Sequence, residues 1–289
     1  MTGSSAAQRA VNRSYDEVDY EIADGVAVIT LDAPQRRNGM RVQMLVDALH
    51  ALDRADRDPD VRAVIVTGAG ESFSVGADLD GPETLSRALV EDVDGHTPTG
   101  YREPAGRISE RLFSMCKPVI AALNGHAIGG GATIAAAMDI RIASENARFG
   151  FVFTQRGVVP EGASSWFLPR LVGLGRAADW LLTGRVFDAA EAYEAGFLTK
   201  VVPADQVMSV AHEYARLFAR DTSPTSVALS KRLLSSAWLH SHPGPAAAQE
   251  SRIYAGRVDS DDAREGVMSF LERRPAVFPP LDPSPAQRF

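Results

Sequence analysis

Two glycine-rich stretches could do chemistry with bare backbone: "TGAGESFSVGADLDG" at 67–81 and "NGHAIGGGAT" at 124–133. Three glycines in a row, Gly129, Gly130 and Gly131, are an expensive choice beside a helix. Each weakens a helix by roughly 0.5–1 kcal/mol relative to alanine. A helix is predicted to begin near Ala132, and the first N–H groups of any helix lack intrahelical partners. Such an end favours negative charge. A second N–H from the first loop would complete a two-donor cradle for an oxyanion that develops during a reaction. Taken singly, each loop is read first as glycine serving tight helix–strand packing.

Familiar alternatives fail on spacing. After Gly68 and Gly70 the third glycine of a dinucleotide fingerprint would fall at Phe73. Gly76 is followed by Ala77 rather than by the lysine of a phosphate loop. The six histidines are scattered, without helical i,i+4 pairing around a carboxylate, so no metal site is expected. His126 lies inside the second loop and reads as a packing or solvent-facing residue. The net charge of −7 gives no reason to expect nucleic acid.

Cys116 is the single cysteine, which rules out an intrachain disulfide and fits a buried structural thiol in a reducing compartment. The first fourteen residues are small and polar, lack a signal-peptide core and are expected to be disordered. No apolar run is long enough to span a membrane. A cytoplasmic location is the expectation.

The elements that must position the loops alternate. "YEIADGVAVITL" (20–31) predicts a hairpin turning at Asp24-Gly25, and Met40–Asp53 carries leucines at helical spacing. "VRAVIVTG" (61–68), "PVIAALNG" (118–125) and "IRIAS" (140–144) predict short buried strands. Strands separated by helical segments imply an α/β architecture with crossover connections. The polar stretch Gly81–Glu110 predicts a long loop that covers a ligand. From Asp205 to Arg274 the pattern is helical, with breaks at Pro224 and "SHPGPA". The expected division is therefore a tail at 1–14, a core at 15–204 and a helical region at 205–289. The helical region has too few apolar positions to bury itself and should pack on the core or on another subunit.

Taken together, "SFSVGADL" (72–79), "KPVIAALNGHAIGGGATIAAAMDIRIAS" (117–144), "LTGRVFDAAEAYEAGFLTKVV" (182–202) and "FLERRPAVF" (270–278) resemble the enoyl-CoA hydratase/isomerase, or crotonase, superfamily. Order and spacing match along about residues 20–280. The resemblance implies a fold of repeated ββα units (ClpP-like) and C-terminal helices for trimerisation, as a homotrimer or dimer of trimers. It also implies an acyl-CoA thioester as substrate and no separate cofactor, coenzyme A being part of the substrate. The oxyanion donors it implies are the backbone N–H groups of Val75 and Gly130, flanked by Ala77, Asp78 and Gly129. Arg37, and secondarily Arg36, would meet the nucleotide and phosphates, with Arg273, Arg274 and Phe278 as further contacts.

The acids depart from the hydratase pattern. Hydratases of the family carry glutamates at the positions held here by Thr133 and Phe153. Instead "GVVPEGASSWF" presents Glu161, as in the Δ3,Δ2-enoyl-CoA isomerase branch, where one glutamate moves a proton between C2 and C4. Phe151, Val152, Phe153, Trp166 and Phe167 could form an apolar wall that raises the carboxyl's pKa and sharpens it as a base. Asp78 and Asp139 read as capping residues. The expected activity is conversion of a 3-enoyl-CoA to a 2-enoyl-CoA. The alternatives are a hydratase, or other enolate chemistry, working with one glutamate, and a low-turnover acyl-CoA-binding protein.

Overall fold

A computed structural model describes residues 15–79, 96–97, 100–101 and 103–281. The chain opens with the hairpin β1 (Val18–Ala23) and β2 (Val26–Leu31). Its turn residues Asp24 and Gly25 take φ of 52° and 78°, as a two-residue Asp-Gly turn requires. Helix α1 (Val42–Arg57) leads to β3 (Ala63–Gly68) and the short β4 (Ser72–Ser74). The two-residue strands β5 (His96–Thr97) and β6 (Gly100–Tyr101) pair with each other. Helix α2 (Pro104–Ser114) follows. Helix therefore begins inside the stretch expected to be loop, while residues 80–95, 98–99 and 102 lie outside the described residues. So does the 1–14 tail.

Next come β7 (Val119–Leu123), β8 (His126–Ile128), α3 (Gly130–Ala136), β9 (Ile140–Ser144) and β10 (Arg148–Gly150). Helix α4 (Ser164–Thr183), β11 (Val186–Asp188), α5 (Ala189–Glu194) and β12 (Lys200–Val202) complete the sheets. Four helices close the chain: α6 (Val207–Arg220), α7 (Pro224–Ala237), α8 (Pro243–Arg257) and α9 (Asp261–Glu272).

The strands form two main sheets, ordered β1-β2-β3-β7-β9-β12 and β11-β10-β8-β4. In the larger sheet every pairing beyond the first hairpin is parallel. Its central strands are buried on both faces. Val64, Val66, Val119 and Ala121 point into the main core, and Ala63, Ile65, Ile120 and Ala122 pack with Val207, Val210 and Ala211 of α6. This explains the unbroken apolar runs, since no face is left for polar residues to alternate onto.

The smaller sheet delivers the glycine loops. β4 runs parallel to β8, and each strand feeds directly into one of them. Helices α7 to α9 leave Leu234, Leu239, Tyr254, Val267, Phe270 and Leu271 exposed.

Candidate active site

The two glycine loops meet backbone to backbone. Gly76 has φ +82°, and a Cβ there would lie 2.8 Å from the Ile128 carbonyl oxygen and 3.0 Å from the Gly130 nitrogen. Gly129, with φ 54° and ψ −124°, occupies a conformation open essentially to glycine alone. Its turn starts helix α3 at Gly130, two residues before the expected Ala132. At Gly131 a Cβ would fall 2.3 Å from the Ser74 carbonyl oxygen. Both uses of glycine are thus present at different positions. Gly131 permits close packing, while Gly129 makes the turn that presents Gly130.

The amide expected as first donor, that of Val75, has a partner within the loop. The Val75 N–H donates to the Arg37 carbonyl at 3.3 Å and is already engaged. Met40 makes an isolated parallel bridge with Ala77. Its N–H donates to the Gly76 carbonyl at 2.7 Å, and its carbonyl accepts from Asp78 N–H at 3.1 Å. In that register the Ala77 N–H points away from Met40. Neither the Ala77 N–H nor the Gly130 N–H has a partner among the described residues. These two amides are the available pair.

Glu161 comes to the same place from the opposite side. Its Oε1 lies 3.2 Å from the position a Cβ on Gly130 would take, and Met40 Sδ is 3.8 Å from that same position. The turn holding it is built by fit. Gly162 has φ +61°, and a Cβ there would meet Thr133 Cγ2 at 2.2 Å. Thr133, at a hydratase glutamate position, therefore packs under the turn that supplies a different glutamate. The Glu161 carbonyl accepts from the Ser164 hydroxyl at 2.8 Å and the Ser164 N–H at 3.0 Å at the start of α4.

A second acid stands beside it. Glu103 caps α2, accepting from Gly106 N–H at 2.6 Å, and its other oxygen accepts from Gly162 N–H at 2.7 Å. Burial pushes the Glu161 carboxyl up to about 8, with the neighbouring charge of Glu103 and a hydrogen bond between the two side chains adding to it. Glu103 is the residue that sequence reasoning missed. Its signal is "EPAG": proline at the first helical position marks a helix start, inside a stretch whose polar composition reads as loop.

Paired amides facing a buried carboxyl narrow the family. The family model for enoyl-CoA hydratase/isomerase matches residues 21–280. The chain belongs to this family. It is 38% identical over 262 residues to an enoyl-CoA hydratase of Alternaria alternata, covering 90% of this chain and 85% of that one. Among solved structures, a probable enoyl-CoA hydratase/isomerase from Mycobacterium abscessus superposes with a TM-score of 0.82 at 37% identity, covering 91% of this chain and 98% of that one. An enoyl-CoA hydratase from Bacillus anthracis gives 0.83 at 30% identity, covering 91% and 99%. The architecture is accordingly the crotonase fold with its C-terminal helices.

Within this crotonase-family chain the other expected site residues are distributed unevenly. Arg37 is exposed at the rim of the first loop and makes no ion pair among the described residues. Arg36 is committed to structure, bonding Glu17 at 2.5 Å and the Gly39 carbonyl at 2.8 Å. Asp78 pairs with Arg41 at 2.6 Å. Asp139 accepts from Val119 N–H and from Lys231, both at 2.7 Å. Phe151 stacks on Trp180, and Phe153 is buried in the main core. Trp166 sits edge-on to Phe113 and Phe167, under the Arg170 guanidinium, and near Trp238.

At the C-terminus, Arg274 pairs with Glu265 and Glu272. Arg273 ends α9 in a left-handed conformation, and the Phe278 carbonyl accepts from Arg62 at 2.9 Å. His126 is exposed, and its Nδ1 accepts from Arg148 N–H at 3.2 Å. Cys116 is half-buried, with burial raising its thiol pKa. No cluster suited to a metal ion occurs among the described residues.

Proposed function

We propose that this protein is an enoyl-CoA isomerase that converts a 3-enoyl-CoA into a 2-enoyl-CoA, with Glu161 as the single proton carrier. The observation that carries the reading is the Glu161 carboxyl oxygen 3.2 Å from the Cβ position of Gly130. A thioester oxygen held by the Ala77 and Gly130 amides would put the adjacent C2 within reach of that carboxylate. Ionised Glu161 removes a proton from C2 as charge moves onto the thioester oxygen. The same carboxyl then returns the proton to C4, so proton and electrons balance within one substrate.

A carboxylate of raised pKa suits this step, because the base should approach the proton affinity of the enolate it opposes. Thr133 and Phe153 offer no acid for orienting water on the other face. Exposed Arg37 is the cation proposed for the phosphates of coenzyme A. The names of the relatives support a second reading, hydration of a 2-enoyl-CoA with Glu161 in both roles.

The test is turnover of matched 3-enoyl and 2-enoyl thioesters. Isomerisation should dominate, and Glu161→Gln should lower its kcat by about 10³-fold, the middle of the range for a positioned acid or base. Isomerisation unchanged by Glu161→Gln, or hydration as the faster reaction, would overturn the assignment. As the base form is needed, kcat/KM should rise with pH and level off above about 8.

A further inference from the structure

Glutamate is an unusual helix N-cap; Asp, Asn, Ser and Thr reach the N2 or N3 amide more readily. Glu103 caps α2 through Gly106 N–H at 2.6 Å, yet its second oxygen continues to Gly162 N–H at 2.7 Å. The extra methylene thus ties the start of α2 to the turn that carries Glu161, 59 positions further along from cap to amide. The close fit of the cap is visible at Gly106, where a Cβ would lie 2.5 Å from Glu103 Oε1. Glu103 thereby sets its carboxyl beside Glu161 and raises it by charge and hydrogen bonding, while the Glu161 side chain receives no N–H from the described residues. A capping role alone explains neither the length of the side chain nor its second bond.

We propose that Glu103 is a positioning residue for proton transfer, which anchors the Gly162 turn and shares a proton with Glu161, so that Glu161 works as a stronger base. The inference rests on the isomerase reading. Two carboxyl groups in hydrogen-bond contact cannot both ionise at ordinary cost. Glu103 already accepts two backbone N–H groups, so the shared proton belongs on Glu161. When Glu161 ionises, the neighbouring anion favours its recapture of a proton, here the one taken from C2.

Among the described residues, the other charged groups on the packed elements lie elsewhere. On α2, Arg107, Glu110 and Arg111 line a groove with His50 and Asp53 of α1, and Arg111 pairs with Asp53 and Asp56. On α4, Arg170 lies over Trp166. Arg36 and Arg41, between β2 and α1, face Asp78 of the first loop, and α3 carries no titratable side chain.

Two variants separate capping from positioning. Glu103→Asp keeps a carboxylate cap for Gly106 but is too short to reach Gly162. Glu103→Gln keeps the length and removes the charge. For Glu103→Gln the rising limb of kcat/KM should move toward acid by at least about one pH unit, with the plateau kcat about tenfold lower. Glu103→Asp should lose about tenfold in kcat with KM within about twofold and a thermal midpoint close to that of the wild type. Wild-type pH limbs and kcat in both variants would reduce Glu103 to a cap and overturn the proposal.

Glu161→Gln in the same assay isolates the underlying reading. If it stays active, the base assignment itself fails, and the proposal with it. If it is inactive while both Glu103 variants behave as wild type, only the role of Glu103 fails. Should Glu103→Gln not fold, infrared titration of the neutral carboxyl band in ligand-free protein decides the same question from Glu103→Asp. A band titrating near pH 8 in the wild type, absent in Glu161→Gln and moved toward acid in Glu103→Asp, supports the shared proton. An unmoved band in Glu103→Asp overturns it.

Discussion

Two pairs of acidic side chains sit close together in this molecule and are treated in opposite ways. Asp179 and Glu191 are bridged by Arg185, which bonds Asp179 Oδ1 at 3.1 Å and Glu191 Oε2 at 2.8 Å. Arg176 and the Trp180 indole N–H add bonds to Glu191 at 3.1 and 2.9 Å. Hydrogen bonding to Arg185 holds Glu191 down at about 2. Among the described residues Glu103 and Glu161 have no arginine between them, and Glu161 is pushed up to about 8. Where a cation is supplied, the acids become a structural clasp. Where it is withheld and the carboxyl is largely enclosed, a proton stays in place and can be moved. The first arrangement is made of charge, the second of backbone amides and shape.

That contrast breaks most severely at Gly162. Alanine there must adopt φ +61° and set its Cβ 2.2 Å from Thr133 Cγ2. Left-handed strain and overpacking together should cost about 3–5 kcal/mol. Activity should fall by about 10² or more, since the turn aims Glu161. Thermal melts and kinetics check both. Adding Thr133→Ala should recover part of the stability loss, because the two sites touch and their effects are not additive. Full additivity would show that the turn is not held by this contact.

The next effect concerns stability against pH. Glu161 moves from an ordinary 4.5 up to about 8 on folding, so the folded protein binds this proton more tightly than the unfolded chain does. Its contribution is fully present below about 4.5 and is lost as pH rises through about 8. Glu161→Gln carries no such loss. Relative to the wild type it should change little at pH 5 and gain about 3 kcal/mol at pH 9, read by denaturant melts. A gain independent of pH would mean that burial of the carboxyl, rather than its charge, sets the cost.

Much of this was legible in the sequence because it rests on local rules. The Asp24-Gly25 hairpin, the apolar runs of β3, β7 and β9, and the Gly129–Gly131 turn each announce themselves within a dozen residues. The second sheet did not, because β4, β8 and β10 have three residues each and cannot show a period. That the Val75 N–H is engaged while the Ala77 N–H has no partner among the described residues was hidden too. Which amide faces the site depends on a bridge to Met40, a pairing that no spacing along the chain reveals. Glu103 was hidden for the same reason, its partner at Gly162 being brought near only by the packing of α2 beside α3 and α4. The resemblance pointed to Glu161, and tertiary register decides which groups stand beside it.

The smallest expected effect tests the arginine clasp. Glu191→Gln keeps the shape and one acceptor for Trp180 but removes the charge facing Arg185 and Arg176. Glu191 is about a quarter exposed, so solvent and salt weaken the interaction, and the loss at pH 7 should be about 1 kcal/mol. The sign of its pH dependence is opposite to that of Glu161. A carboxyl lowered from 4.5 to about 2 contributes stability above 4.5 and loses it as pH falls through about 2. The gap between wild type and Glu191→Gln should therefore close under acid and narrow in high salt, whereas the Glu161→Gln gap should open under alkali and answer less to salt because that carboxyl is far more enclosed than Glu191. If both gaps answered to salt alike, the distinction between a clasp of charge and a site of shape would fail.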